Sequence, residues 1–291
     1  MKRLLAYCGL VALLVATGCR PAHQPTPTGP LRIVSLAPSL TESLCAIGAG
    51  DLLVGRTSAC NYPPDITATI PIIGGFGHPS LELLAAARPT LVLDVDLIDE
   101  GITTQIRSLG IPHRRIACDS LDDIAPMLRE LGDITGHQAE AEVLAQELTR
   151  TINTARAEIT TPLAYRPSVY AEVWHDPLTT IGRDTFLAGL VALAGGRTIA
   201  ASVDKPYFQI APESILSENP DLILCLYMGP SQGAVEAVKA RPGWQHINAV
   251  RNDCIFADLD NDVLLRPGPR LIEGLQALRA CIANVPGGQM P

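Results

Sequence analysis

The side chains best able to do chemistry in this chain are aromatic, and they gather where apolar runs end: Tyr62, Phe76, His78, Trp174, Tyr207, Phe208 and Tyr227. With only 4 Phe, 6 Tyr and 2 Trp in 291 residues, that concentration is more than scatter. Aromatic faces at such places offer stacking and area burial to a large, partly apolar small molecule. In open α/β sheets, ligands sit outside the carboxyl ends of the strands. Trp174 and Tyr207 are the favoured contacts, Tyr227 less so. Catalytic signatures are missing: the chain has no GxGxxG, no phosphate loop, no HExxH and no GxSxG elbow. The six histidines, at 23, 78, 113, 137, 175 and 246, include no pair at helical ligand spacing, whereas a tight transition-metal site needs several converging donors. These residue types point to binding rather than catalysis, with no cofactor and no resident metal.

A second pattern is a phrase used twice. Glu82-Leu-Leu-Ala-Ala-Ala-Arg-Pro89-Thr-Leu-Val-Leu93 and Glu213-Ser-Ile-Leu-Ser-Glu-Asn-Pro220-Asp-Leu-Ile-Leu224 both place a Glu seven residues before a Pro that opens an apolar run. Each copy predicts a helix feeding a buried strand, so the chain is expected to hold two similar lobes with a carboxylate at a helix start in each. A local role for those acids is the helix dipole, and Pro212 before Glu213 suits a first helical position.

The elements that must position these residues alternate. Arg32 to Leu36, Leu52 to Thr57, Leu91 to Val95 and Arg115 to Cys118 read as strands, with helices between them. Ser39-Leu-Thr-Glu42 and Ser120-Leu-Asp-Asp123 read as capped helix starts. A second set runs from Val169 to Trp174 through a helix at Asp184 to Ala194, the second phrase, a helix at Val235 to Ala240, a strand at Ile255 to Asp258 and a last helix from Pro269 to about Val285. Strands alternating with helices imply parallel sheets. Between the sets, Leu144, Leu148, Ile152, Ala155 and Ile159 recur at spacings of four, four, three and four, which predicts one helix with a single apolar stripe. At ~1.5 Å per residue it would run roughly 35 Å, enough for a strut between lobes.

Composition sets the bounds: 47% hydrophobic and 4% aromatic residues fit globular material. The formal charge is -8, and without Lys2 and Arg3 the chain keeps 20 basic against 30 acidic residues, which argues against a nucleic-acid surface. Lys2 and Arg3, the apolar stretch Leu4 to Ala16 and then Ala16-Thr17-Gly18-Cys19 make a secretory leader, too short in its apolar part to span a membrane. Small residues directly before Cys19 resemble a bacterial lipobox, implying cleavage there and a diacylglycerol on its sulfur. Residue Arg20 follows rather than an Asp, and Pro21 to Pro30 holds four prolines, a stiff tether. Cys45, Cys60, Cys118, Cys225, Cys254 and Cys281 remain; in an exported chain at least one bridge among them is expected.

Several of these segments together resemble a known family. Arg32-Ile-Val-Ser-Leu-Ala-Pro-Ser-Leu-Thr-Glu42, Gly48-Ala-Gly-Asp-Leu-Leu-Val-Gly55, Tyr62-Pro-Pro, Gly74-Gly-Phe76, Leu81-Glu82, Asn219-Pro220-Asp221-Leu-Ile-Leu224 and Pro269-Arg270 are similar to segments of the substrate-binding proteins of bacterial ABC importers for cobalamin, haem and ferric siderophores, over about residues 31 to 283. The resemblance implies an α/β fold of two Rossmann-like lobes with mainly parallel sheets, joined by a single long α-helix, with the ligand between them. The expected division is a lipoprotein signal at 1–18, a Pro-rich tether at 19–30, an N-terminal lobe at 31–134, the connecting helix at 135–160 and a C-terminal lobe at 161–291.

It further implies that Glu82 and Glu213 dock into arginine pockets of a permease. The expected ligand contacts are Tyr62, Phe76, Trp174, Tyr207 and Asp262, of which Tyr207 and Asp262 align with cleft positions of a cobalamin-binding member. Ala59 and Thr179 depart from that member's aromatics. Arg183, Arg266 and Arg270 stand ready for an anionic ligand, Arg270 fitting equally a cap of the last helix. The expectation is a lipid-anchored, exported monomer, in the periplasm or at the cell surface, that captures a metal chelate and closes modestly about the strut. A receptor for free transition-metal ions, a ligand-sensing lipoprotein and, least of all, an enzyme on the same scaffold stay open from the residues alone.

Overall fold

Apolar strands buried on both faces form parallel sheets, and in the computed structural model, which describes residues 29–95, 100–227 and 232–286, this happens twice. The first sheet orders its strands Leu53–Arg56, Ile33–Ser35, Leu91–Asp94 and His113–Arg115. The second orders Arg197–Thr198, Ser168–Glu172, Leu222–Cys225 and Ile255–Phe256. Every pairing within them is parallel. Counted along the chain, both sheets have the order second, first, third, fourth, so the strands of the repeated phrase fill the same place in each.

The helices of that phrase also match in detail. Leu81–Ala87 starts on Ser80, whose hydroxyl accepts from the Leu83 N–H at 3.3 Å. Pro212–Glu218 starts on Pro212 instead. Both end on a residue in the left-handed conformation, Arg88 at φ 47° and Asn219 at φ 44°, which turns the chain toward the Pro that follows and into the strand. Glu82 and Glu213 lie exposed in the first turns.

The long helix occupies Gln138–Glu158, after Gly136 at φ 80° has ended the helix Ile124–Thr135. Its buried stripe is Ala141, Ala145, Leu148, Ile152 and Ala155. The alanines matter because the two helices approach closely: a side chain on Gly132 would come within 2.6 Å of the Ala141 methyl. Arg129 grips Glu142 at 2.6 Å near one end, and Glu158 takes Arg279 of the last helix, Leu271–Ala283, at 2.7 Å at the other.

One apolar core runs through both lobes, and a second, smaller one of Val34, Leu36, Ile73, Leu84, Val92 and Ile106 belongs to the first lobe alone. Leu121 sits where a side chain on Gly189 would be, at 2.9 Å from the position of its Cβ.

Several expectations are corrected. Ser39 is not a cap: its helix begins at Pro38 and Glu42 faces the other lobe. The fourth strand lies at His113–Arg115, ahead of the expected run. A three-stranded antiparallel sheet of Trp174–His175, Leu178–Ile181 and Tyr207–Gln209 was not expected, since strands of two to four residues carry too little periodicity to read. The six cysteines are free thiols. Each is instead placed within its own surroundings, Cys60 on the Thr57 hydroxyl at 3.1 Å and Cys254 on the carbonyls of Asn252 and Asn284. Among the described residues no helix is long and apolar enough to cross a membrane. The leader, Cys19 and all of the tether before Gly29 lie outside the described residues.

Candidate functional site

Parallel strands deliver the residues that follow them to one edge of a sheet, and here two such edges face each other across a cavity of about 830 Å³. Ala37 and Val95 follow strands of the first sheet, Val173 and Tyr227 strands of the second, and all four line the cavity. Phe76, Tyr207 and Asp262 line it as well. Tyr62 and Trp174 do not belong to the wall. The Tyr62 ring lies beneath the Arg270 guanidinium, 4.1 Å from ring centroid to charge. Trp174 is 44% exposed at the tip of the antiparallel sheet, its indole N–H donating to the Asp176 carbonyl at 2.8 Å. It reaches the cavity only through neighbours: Trp174 lies 5.5 Å from the His175 ring, which lies 5.2 Å from the ring of Tyr227. Tyr207 sits at the mouth, its phenol raised first by burial and then by the charge of Asp119 from the opposite lobe.

Two buried carboxylates organise this site: Glu172, which no local pattern in the sequence marks, and Glu42, which its neighbours mark only as part of a helix cap. Glu172, the last residue of its strand, takes Arg241 on both oxygens at 2.6 and 2.7 Å and also accepts from the Tyr227 hydroxyl. Asn261 donates to the Tyr227 carbonyl at 2.7 Å, so the ring on the cavity wall is fixed at both ends. Burial and then the Glu172 bond push the Tyr227 phenol well above its usual range, keeping it a neutral donor. For Arg241, burial opposes the charge and Glu172 outweighs it.

Glu42 belongs to the other lobe and holds two arginines from across the boundary. Arg270 donates to both its oxygens at 2.9 and 3.0 Å, and Arg266 to one of them at 2.8 Å. Arg266 also donates to Asn61 at 2.7 Å and to the Ala59 carbonyl at 3.0 Å, while Asn61 donates to Asp262 at 2.8 Å. Asp262, expected as a ligand contact, is thus partly committed to joining the lobes. The only sequence signal for this latch was a pair of arginines four residues apart, Arg266 and Arg270, beside Gly268 and two prolines. Glu82 and Glu213 lie outside the cavity, and neither lines it.

What the arrangement can do is enclose a large, mainly apolar molecule between two lobes held in register. Among the described residues no three His, Cys, Asp or Glu side chains are grouped to hold a metal ion.

Residues 33–261 match the periplasmic binding protein family, and the chain belongs to it. It is 29% identical over 260 residues to an uncharacterized ABC transporter substrate-binding lipoprotein, YvrC, of Bacillus subtilis, covering 87% of this chain and 80% of that one. A vitamin B12-binding protein of Pectobacterium carotovorum is 26% identical over 272 residues, 93% and 92% of the two chains. Among solved structures, the periplasmic heme-binding protein RhuT of Roseiflexus sp. RS-1 superposes with a TM-score of 0.77 at 31% identity, over 90% of this chain and 100% of that one. The chain is a binding protein of two α/β lobes and not an enzyme.

Proposed function

We propose that this periplasmic binding protein captures a metal chelate of the cobalamin, haem or ferric siderophore class in the interlobe cleft and delivers it to an ABC permease, from a membrane tether at Cys19. The observation that carries the reading is the cavity itself. It is large, built at the carboxyl edges of both sheets, and walled by Phe76, Tyr207 and Tyr227, a lining suited to stacking on a macrocycle or an aromatic chelator. The relatives support the class, since their names speak of vitamin B12 and heme.

Glu82 and Glu213 are the proposed docking handles. Both are exposed, both open helices of matched geometry, and each belongs to a different lobe. Charge pairs of this kind chiefly set orientation and encounter rate.

The test is a titration of the purified chain with cyanocobalamin, haemin and a panel of ferric siderophores, read by quenching of Trp174, with buried Trp244 as the internal reference. A saturable, one-to-one response to at least one chelate is expected, and silence from all of them would sink the reading. The companion variant Glu82→Arg with Glu213→Arg is expected to bind as before and to lose uptake in cells. Unchanged uptake removes the docking role while leaving the binding role in place.

A further inference from the structure

Helix Pro38–Ala46 begins on the wall of the cavity, where Ala37, Pro38 and Ser39 are lining residues. Its start is left open. Ala37 stands at the cap position without a side-chain oxygen, no side chain caps the first turn, and that turn holds no acidic residue. Pro38 brings no N–H, and the first amide to find a helical acceptor is that of Thr41, on the Ala37 carbonyl at 3.1 Å. The Ser39 and Leu40 amides therefore have no acceptor among the described residues. Ser39 is only 7% exposed and lines the cavity, and its hydroxyl has no partner among the described residues either. A polar side chain so deeply buried is ordinarily bonded.

The opposite lobe shows the contrast. Helix Phe186–Leu193 also starts on the cavity, but Thr185 caps it by accepting from the Ala188 N–H at 3.2 Å, and Asp184 stands just before. The open start, moreover, is held in place. The Ser35 hydroxyl donates to the Ala37 carbonyl at 3.0 Å and the Thr41 hydroxyl to Ser35 at 2.9 Å, all three residues being buried. The strand before it, Ile33–Ser35, lies beside Leu91–Asp94 where the strand order reverses, the place at which open α/β sheets bind ligands. No arginine is left to take this role. Arg266 serves Glu42, Asn61 and the Ala59 carbonyl, Arg270 is held on Glu42, and Arg183 lies between Asp184 and Asp204 at 3.2 and 3.3 Å. The same arginines pair the cavity aspartates Asp184, Asp260 and Asp262, and Asp119 is engaged as well.

On this basis, and resting on the chelate-binding role proposed above, we infer that the start of helix Pro38–Ala46 is a carboxylate subsite of the cleft, in which the Ser39 amide and hydroxyl donate to an acid group carried by the chelate. The cleft then prefers chelates with a free carboxylate over their esters and amides. Helix starts bind anions because their unbonded amides and the helix dipole act together. At a partly buried start the ionised group gains about five- to thirtyfold in affinity, and one hydrogen bond to a charged group is worth about tenfold.

Matched probes separate the acid group from the rest of the molecule. Haemin is compared with its dimethyl ester, the monocarboxylic acid of cyanocobalamin with cyanocobalamin, and N-succinyl ferrioxamine B with the N-acetyl derivative. In at least one pair that binds, the acid is expected to bind about five- to thirtyfold tighter than its neutral partner. Ser39→Ala is expected to weaken that acid about tenfold and to leave the neutral member within about twofold. Ser39→Asp, which places a carboxylate of the chain's own at the helix start, is expected to abolish the preference. Equal affinities in every binding pair, or a tighter neutral member, overturn the subsite and leave the binding role standing. So does a Ser39→Ala chain that loses both members equally or keeps the full preference. Failure of every probe to bind overturns the binding role and this inference with it. The paired comparison uses the unmodified chain, so its result does not depend on a variant folding.

Discussion

Glu42 and Glu172 are built alike and employed differently. Both are buried carboxylates, 4% and 0% exposed, gripped at two points by a guanidinium. The partner of Glu172 comes from its own lobe and the group it positions, Tyr227, is part of the cavity wall. The two partners of Glu42 come from the opposite lobe, and what they position is one lobe against the other. The same chemical unit thus sets the shape of a wall in one place and the distance between walls in the other. Its free energy should accordingly appear in different measurements, lobe stability for Glu172 and lobe arrangement for Glu42.

The largest effect is expected from Glu172→Ala. Arg241 and the Tyr227 hydroxyl then stay behind without their partner, and breaking a buried pair in this way costs about 3–5 kcal/mol. Urea unfolding followed by Trp244, whose ring lies 4.5 Å beneath Arg241, measures it directly. Glu42→Ala is expected to lose less, about 2 kcal/mol, because both guanidiniums lie at the lobe boundary and reach water once the lobes part. Its signature is a larger radius of gyration in small-angle scattering. If scattering is unchanged while stability falls as far as for Glu172→Ala, the distinction between the two glutamates fails.

Arg270→Lys sharpens the comparison on a finer scale, keeping the charge while giving up the two-point grip and the stack on Tyr62. A double-mutant cycle with Tyr62→Leu should return a coupling of about 0.5–1 kcal/mol, and zero coupling would mean that the stack is incidental. The smallest effect belongs to an exposed counterpart, Glu142, whose carboxyl is lowered from 4.5 to about 2 by Arg129 first and Gln146 second. A lowered carboxyl stabilises the fold above its ordinary range and loses that contribution as pH falls toward 2. Glu142→Gln should flatten this acid limb of the stability curve, and identical curves would show that a solvated pair contributes nothing, as many do.

What could be read in advance follows the range of each interaction. The matched helices at Glu82 and Glu213, the Ser120–Asp123 cap and the strands of the repeated phrase rest on neighbours within a few residues, and their residue types carried that information. The long helix was legible as a stripe, although Ala141 and Ala145 take the place in the core that spacing gave to Leu144 and Ile159, because close approach to Gly132 favours small side chains. Phe76 and Tyr207 were placed on the cavity by their position at strand ends. Tyr62 shares that position, but Arg270 covers it from far away in sequence. Glu42 misled for the same reason: Ser39 and Glu42 satisfy a local capping pattern, while the partners that decide the glutamate's role lie more than 220 residues on.

That separation bears on the order in which the molecule assembles. Closing a flexible loop of 224 residues carries an entropic cost of about 5 kcal/mol before any contact rewards it. Once each sheet has formed and the helix Gln138–Glu158 holds the two together, little free chain is left to close, and the cost nearly vanishes. The latch is therefore a late event in folding. In a chain made from its N-terminus, the carboxylate of Glu42 waits for almost the whole polypeptide before its counter-charges exist.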